Sequence, residues 1–133
     1  MGDSPKENLV SGAVIDAAYR VHGTLGPGLM ESVYETCLAH ELTQRGHLVA
    51  RQVPIAIRYR ELLFDIGFRA DLVVDDLVIV ELKSVEFLLP VHKKQTLTYV
   101  RQAGKRLGLL LNFGAERIKH GIARLANGLP DSS

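Results

Sequence analysis

The 133-residue sequence has little of several features that would mark a special class of protein. It contains one cysteine, Cys37, so no internal disulfide can form, and a reducing compartment is favoured. No apolar run reaches about 18 residues, so no membrane-spanning helix is predicted. Residues 1–8 carry charges and Pro5 where a signal peptide would need an apolar stretch. We therefore expect a soluble cytoplasmic protein.

Neither sign of charge is in excess, because 16 Lys and Arg residues stand against 15 Asp and Glu residues. The net charge of +1 excludes a strongly basic coat and an acidic tail, but it leaves room for a local basic patch. The length and the 47% hydrophobic content suit one globular domain. We predict a single domain over residues 7–127, with flexible tails at 1–6 and 128–133.

Hydrophobic periodicity divides the first part of the chain into helices and strands. Apolar residues at steps of three and four predict helices over about 9–22 and 30–45. Alternation then predicts strands over 48–59, 63–74 and 77–83. Pro54 suggests that the first strand lies at an edge or contains a bulge. The nearly continuous apolar run of the third strand predicts a central position.

The remainder of the chain adds a helix, a strand and an undecided element. A helix is predicted over about 91–103, after Pro90, and a strand over 106–112. Residues 118–125 fit either a strand or a helix. The order α-α-β-β-β-α-β indicates an α/β (α+β) fold, with a mixed central sheet flanked by helices.

The third strand is unusual because Glu81 and Lys83 interrupt its apolar run. Side chains two apart on a strand point the same way, so these two share a face and Leu82 points opposite. Burying an ionised group without a partner costs several kcal/mol. The pair is therefore either a structural ion pair near a strand end, or a carboxylate and an ammonium delivered to an active site.

Asp71, on the preceding strand, decides between these interpretations through its register. A two-residue turn at 75–76 would set Asp71 opposite Val80, on a different face from Glu81. A three-residue turn at 75–77, or a bulge, would set Asp71 opposite Glu81 on one face. The functional interpretation requires the second arrangement. Two close carboxylates repel unless a cation lies between them, and such oxygen ligands suit Mg²⁺ or Mn²⁺.

Asp71 followed by Glu81-Leu82-Lys83 on the next strand resembles the motif of the PD-(D/E)xK phosphodiesterase superfamily. Ala70 stands where that motif usually has proline. The segment Gly28-Leu29-Met30-Glu31-Ser32-Val33-Tyr34 is similar to the signature of the GxxExxY family, whose small proteins are assigned to this superfamily. The likeness covers nearly the whole folded chain. It implies a restriction-endonuclease-like αβββαβ core and hydrolysis of nucleic acid by a metal-activated water.

The resemblance also implies roles for individual residues. Lys83 would orient the attacking water or stabilise charge in the transition state. Gln95 and Tyr99, four apart on one helix face, resemble a Gln-xxx-Tyr motif of related nucleases. The catalytic set is then Asp71, Glu81, Lys83, Glu31, Gln95 and Tyr99, and the metal ligands are Asp71, Glu81, Glu31 and the carbonyl of Leu82.

Each added residue has a structural explanation as well. Glu31 lies near a helix N-terminus, where the helix dipole favours a carboxylate in any case. Its spacing from Tyr34 predicts that the two share one side of the helix. Gln95 and Tyr99 could simply form a polar helix face that touches solvent.

A basic cluster follows the motif and contains no acidic residue. Such a surface can contact backbone phosphates without reading sequence, so DNA or RNA is the expected partner. Solvated helix charge is nearly as well supported. The cluster consists of Lys93, Lys94, Arg101, Lys105 and Arg106.

Two further functions stay open alongside a nuclease that depends on Mg²⁺ or Mn²⁺. The chain could be a catalytically silent nucleic-acid-binding module of the same fold. It could also be a subunit of a homo-oligomer. The sequence does not separate DNA from RNA, or endonuclease from exonuclease activity.

Overall fold

The computed structural model describes residues 5–129 and contains a five-stranded mixed sheet with three helices. The predicted α+β fold class, with helices flanking a mixed sheet, is confirmed. In chain order the elements are α1 (Lys6–Leu25), α2 (Glu31–Gln44), β1 (Val49–Tyr59), β2 (Leu62–Val74), β3 (Val78–Lys83), α3 (Pro90–Gln102), β4 (Leu107–Asn112), a 3-10 helix (Ile118–Gly121) and β5 (Ile122–Ala126).

The ends of the domain differ from the prediction. The undecided segment becomes the 3-10 helix followed by β5, which pairs antiparallel with β4. Lys6 begins α1 and Leu129 is buried in the core, although the sequence placed both in flexible tails. The rest of those predicted tails, residues 1–4 and 130–133, lies outside the described residues.

The strands follow one another in the order β1-β2-β3-β4-β5, so β3 is central and β1 is an edge strand, as predicted. Pro54 is tolerated at this edge because its missing N–H removes no bond that a central strand would need. The register of β1 against β2 also shifts between Ile55 and Ile57. β3 and β4 are parallel, and α3 provides the crossover that such a pair requires.

Helices cover both faces of the sheet. On one face, α1 and α2 pack over Val78, Val80 and Leu82 of β3. On the other, Val100 of α3 packs over Ile79. Gly108 of β4 allows α3 to approach closely, because a Cβ atom there would lie 2.3 Å from Cγ2 of Val100.

The sequence pattern of β2 predicts strict alternation, and this prediction is wrong. It places Val73 on one face and five other apolar side chains on the opposite face: Ile66, Phe68, Ala70, Leu72 and Val74. Leu72 and Val74 pack with α1 and α2, whereas Phe68 and Ala70 pack with α3. Val73, next to Leu72, also packs with α3. The alternation is therefore interrupted at Asp71, whose backbone N–H donates to the Glu81 carboxylate.

The turn between β2 and β3 sets the register on which the functional interpretation depends. Val74 pairs with Val78 and Leu72 with Val80, so three residues form the turn and Asp71 faces Glu81. Asp75 and Asp76 both adopt the left-handed conformation, with φ values of 54° and 56°. Aspartate tolerates this conformation better than most residues, so the turn chemistry favours the longer connection.

Asp75 also ties this turn to the start of β1. Its Oδ2 lies 2.6 Å from Nδ1 of His47, and its Oδ1 accepts a hydrogen bond of 2.9 Å from the Leu48 N–H. Its own N–H donates to the Leu48 carbonyl at 2.8 Å. The turn is therefore held from outside the hairpin as well as by its own residues.

None of the helices within residues 5–129 is both long enough and apolar enough to cross a membrane.

We expect Asp75→Ala to lower the free energy of unfolding by about 1–2 kcal/mol, because it removes two hydrogen bonds and leaves alanine in a left-handed conformation. Asp75→Asn is the matched control, since it keeps an acceptor and tolerates that conformation. Urea denaturation measures both variants. Equal stability of wild type and Asp75→Ala would show that the hydrogen bonds of Asp75 to His47 and Leu48 do not stabilise the fold.

The Asp75 contribution should also depend on pH. Burial raises the pKa of Asp75, but the hydrogen bonds from His47 and Leu48 together lower it by more, so the net shift is downward. A lowered pKa stabilises the fold above the ordinary carboxyl range, and the gain is lost as pH falls through that range. The difference between wild type and Asp75→Ala should therefore shrink below about pH 4.

Candidate active site

The carboxylates of Asp71 and Glu81 are held by backbone hydrogen bonds between the strands, where the β2–β3 ladder ends. The Asp71 N–H donates to Oε2 of Glu81 at 2.7 Å, and the Leu82 N–H donates to Oδ2 of Asp71 at 2.9 Å. Each carboxylate thus accepts a backbone N–H from the opposite strand. This reciprocal arrangement fixes the two side chains next to one another.

The carboxyl groups of Asp71 and Glu81 both have a higher pKa than an exposed acid, so they keep their protons to higher pH. Burial raises the pKa of Glu81 to about 8, and the neighbouring Asp71 charge adds to the effect. Burial also raises the pKa of Asp71, partly offset by the Leu82 N–H and increased by the charge of Glu35. Close to neutral pH, without a cation, the pair therefore holds a proton.

Lys83 lies two residues beyond Glu81, on the same face of β3. It is half-buried, and its charge lowers the pKa of Glu81, which places the ammonium in the field of that carboxylate. Among residues 5–129 the ammonium forms no ion pair. Lys83 is therefore close to the carboxylates and keeps its donors for another group.

Two residues that the sequence analysis did not identify complete the site. Glu35 of α2 is only 7% exposed, and its Oε1 accepts a hydrogen bond of 2.6 Å from Nε2 of Gln52. The same Nε2 donates to Oδ1 of Asp71 at 3.3 Å. Arg51 pairs with the other oxygen of Glu35 at 2.9 Å. The neutral amide of Gln52 thus bridges two carboxylates.

Gln52 takes this position with an uncommon backbone conformation. Its φ is 50°, in the left-handed region, while its neighbours Arg51 and Val53 pair with Leu72 and Ala70 of β2. Gln52 therefore stands beside Asp71, where the alternation of β2 is interrupted. Left-handed geometry costs a non-glycine residue roughly 1–2 kcal/mol, so the surrounding contacts must offset it.

Glu31 and Tyr34, the acid and the tyrosine of the GxxExxY-like segment, have different environments. Glu31 is exposed at the first position of α2, and its charge raises the pKa of Asp71. Tyr34, by contrast, is fully buried. The Tyr34 hydroxyl donates to the Gly26 carbonyl at 2.5 Å and accepts the Leu29 N–H at 3.0 Å. It fixes the loop that leads into Glu31.

Tyr99 reaches the site from α3, on the face of the sheet that Ile79 and Glu81 share. Its ring stacks on Phe68 with the centroids 3.9 Å apart. Burial raises the pKa of Tyr99, and the charges of Glu81 and Asp71 raise it further, so its hydroxyl lies in their field. Gln95, one turn earlier on α3, is exposed.

The predicted basic cluster is divided in the structure. Lys93, Lys94 and Arg101 are exposed on α3. Lys105 instead forms an ion pair of 2.9 Å with Asp76, and Arg106 lies 3.9 Å from Glu7. Lys93 also lines a cavity of about 640 Å³, together with Glu86, Phe87, Asn112, Arg117 and His120. Three of the five predicted cations therefore remain open to a polyanion.

The donor set fits a hard divalent cation. Asp71 and Glu81 present carboxylate oxygens whose mutual repulsion a cation would relieve. Within the described residues no three His, Cys, Asp or Glu side chains converge as a complete metal shell. Mg²⁺ commonly takes one or two carboxylates from the protein and the remainder from water and phosphate, so two suffice.

The buried Glu35 had a signal in the sequence that was not used. It follows Glu31 by four residues, so both acids fall on neighbouring turns of one helix face. It also sits directly beside the buried Tyr34. Gln52 had no such signal, because its position depends on a left-handed backbone that the residue type does not predict.

Comparison with known proteins gives one match. A family model described as the PD-(D/E)XK nuclease superfamily matches residues 8–125. No curated protein and no solved structure matches. The mixed sheet and its helices are consistent with the restriction-endonuclease-like fold of that superfamily.

Glu81→Gln should change how stability depends on pH. In wild type without divalent cation, Glu81 is protonated at low pH in both the folded and the unfolded state. As pH rises from 4.5 to about 8, Glu81 ionises in the unfolded state but stays protonated in the folded state, so the free energy of unfolding falls. Each pKa unit corresponds to about 1.4 kcal/mol, so the loss amounts to a few kcal/mol. The substituted glutamine side chain cannot ionise, so the variant should lack this loss. If the free energies of unfolding of the two proteins changed in parallel between pH 4 and 9, the raised pKa of Glu81 would be contradicted.

Gln52→Gly and Gln52→Ala test the bridge between the carboxylates. Both variants lose the amide, but only glycine adopts φ near 50° without cost. We expect Gln52→Gly to be more stable than Gln52→Ala by about 1 kcal/mol in urea denaturation. The opposite order would show that the left-handed conformation is not retained.

Proposed function

This chain belongs to the PD-(D/E)XK nuclease superfamily, and we propose that it is a metal-dependent phosphodiesterase that hydrolyses nucleic acid. The observation that carries the proposal is the reciprocal pairing of Asp71 and Glu81, with Lys83 beside them on the same strand face. This arrangement offers two anionic oxygen ligands and one cationic donor where the pairing of β2 with β3 ends.

Mg²⁺ or Mn²⁺ would be held by Asp71 and Glu81, with the Leu82 carbonyl and Glu31 as further ligands. A divalent cation supplies charge neutralisation at the phosphate and activates water for attack. Glu31 is exposed and electrostatically coupled to Asp71, which suits a ligand that acts directly or through water. No nucleophilic side chain is required.

Lys83 would stabilise the negative charge that develops on the phosphate. Its ammonium has no ion-pair partner among residues 5–129, so its donors are available to a substrate oxygen or to the attacking water. Tyr99 and Gln95 would orient the phosphate from α3. The stacking of Tyr99 on Phe68 supports this role because it restricts where the hydroxyl can lie.

Glu35 and Gln52 would act as positioning residues. The Gln52 amide donates both to Oδ1 of Asp71 and to the buried Glu35. The bridge restricts rotation of the Asp71 carboxylate, and outer partners of this kind orient metal ligands in other proteins. Arg51 holds the Glu35 carboxylate in place through its ion pair.

DNA or RNA is the proposed substrate, contacted by the exposed cations Lys93, Lys94 and Arg101. Their number is small, so the contact would be weak at high salt. The similarity of Gly28, Glu31 and Tyr34 to the GxxExxY signature supports a place in that family. The single cysteine, Cys37, is unpaired and supports a cytoplasmic location.

Lys83→Ala should lower the cleavage rate by about 100-fold or more, the usual loss on removing a transition-state donor. Asp71→Asn should lower it at least as much, because it weakens a proposed metal ligand. Lys119→Ala is the matched control, because it removes an exposed lysine that has no proposed role in the site or in substrate binding. The assay offers single- and double-stranded DNA and RNA with Mg²⁺, Mn²⁺ or a chelator. Equal cleavage by wild type, Lys83→Ala and Asp71→Asn would reject the proposal.

A catalytically silent binding module is the second candidate, favoured by the proton that the Asp71–Glu81 pair holds near neutral pH in the absence of a cation. Calorimetric titration with Mn²⁺ distinguishes the two. Binding by wild type that Asp71→Asn abolishes supports the nuclease. No binding of Mn²⁺, together with salt-sensitive affinity for DNA or RNA, supports the silent module.

A further inference from the structure

β1 and β2 extend beyond the rest of the sheet as a two-stranded arm, residues 54–69. β2 pairs with β3 only over residues 72–74, so the arm has no third strand beside it. Every residue from 58 to 67 is exposed. Isolated two-stranded hairpins are marginally stable in water, so a long bare arm gains from being covered.

One face of the arm is apolar. Tyr59 pairs with Leu62, and Ile57 pairs with Phe64, which places these four side chains together on what we term the arm face. Tyr59 is 62% exposed, Leu62 56% and Phe64 53%. Large exposed apolar surfaces of this kind mark interaction sites.

We propose that the arm face binds the same face of a second copy of this chain, forming a two-fold symmetric dimer. A free side chain of this size presents roughly 200 Å², so the three most exposed residues offer roughly 350 Å² of apolar area per copy. Interfaces are about 57% apolar, which corresponds to roughly 1,200 Å² buried by the pair. This lies at the lower end of specific interfaces, where weak and transient complexes are found.

The arm carries charges of both signs, which suits pairing with a second copy of itself. Arg58, Arg60 and Glu61 lie at or near the tip, Asp65 lies midway along, and Arg69 lies near the base. In a two-fold pair of antiparallel arms, the acids of one copy can pair with arginines of the other. A polyanion would meet the two acids as well as the arginines, and it would leave the apolar face in water.

The position of the arm relates the dimer to the candidate site. Because β2 runs antiparallel to β3 with Asp71 opposite Glu81, the arm projects past the Lys83 end of β3. Pairing through the arms would bring two sites into one assembly. The arm face contains no residue proposed for catalysis, so dimerisation does not depend on hydrolysis.

Sedimentation equilibrium of the full chain between about 1 and 200 µM tests the proposal, because small interfaces of this kind belong to weak complexes that form only at high concentration. We expect wild type to dimerise, and Phe64→Glu to weaken the dimer at least tenfold because it places a charge in the apolar contact. Leu63→Glu is the matched control: Leu63 is also 53% exposed, but it pairs with Arg58 on the opposite face of the arm. It should dimerise as wild type does.

Three outcomes would overturn the proposal. In the first, wild type remains a monomer throughout this concentration range. In the second, Phe64→Glu and Leu63→Glu weaken the dimer equally. In the third, wild type is monomeric without DNA and binds a DNA duplex, and Phe64→Glu loses that binding. Circular dichroism melting of each variant checks that the fold is retained. A second substitution, Leu62→Lys, must reproduce the Phe64→Glu result if the arm face is responsible.

Discussion

The register between β2 and β3 decides whether Asp71 and Glu81 can meet. A slip of one residue would turn one of the two carboxylates to the other face of the sheet. The register depends on a turn in which two consecutive aspartates adopt left-handed conformations and the first of them is clamped to Leu48 and His47. The acid pair at the strand ends thus relies on contacts made at the opposite end of the same hairpin.

The site contains charged groups and a backbone conformation that lower the stability of the domain. Glu81 is buried beside the half-buried Asp71, Glu35 is a second buried acid nearby, and Gln52 is held in a left-handed conformation. Each of these features costs stability in isolation. The central strand β3, which is buried at every position before Lys83, and the helices on both faces of the sheet provide the packing that offsets these costs.

Sequence reasoning found those parts of the site that follow from periodicity. Glu81 and Lys83 stood out because β3 is otherwise apolar, and the alternatives for Asp71 reduced to the number of residues in one turn. The same reasoning missed the Glu35–Gln52 bridge and misassigned the side-chain faces of β2. Both failures have one cause. The strand alternation is interrupted where Gln52 and Asp71 lie side by side, and a local backbone distortion of this kind produces no periodic pattern of hydrophobic residues in the sequence.

One chain segment, β2, carries both Asp71 and one of the two strands of the arm. A displacement near Leu62 would reach the carboxylate along this continuous strand, past the register irregularity near Ile57 and the stacked rings of Phe68 and Tyr99. Contact at the free end of the arm would therefore act on the geometry at Asp71.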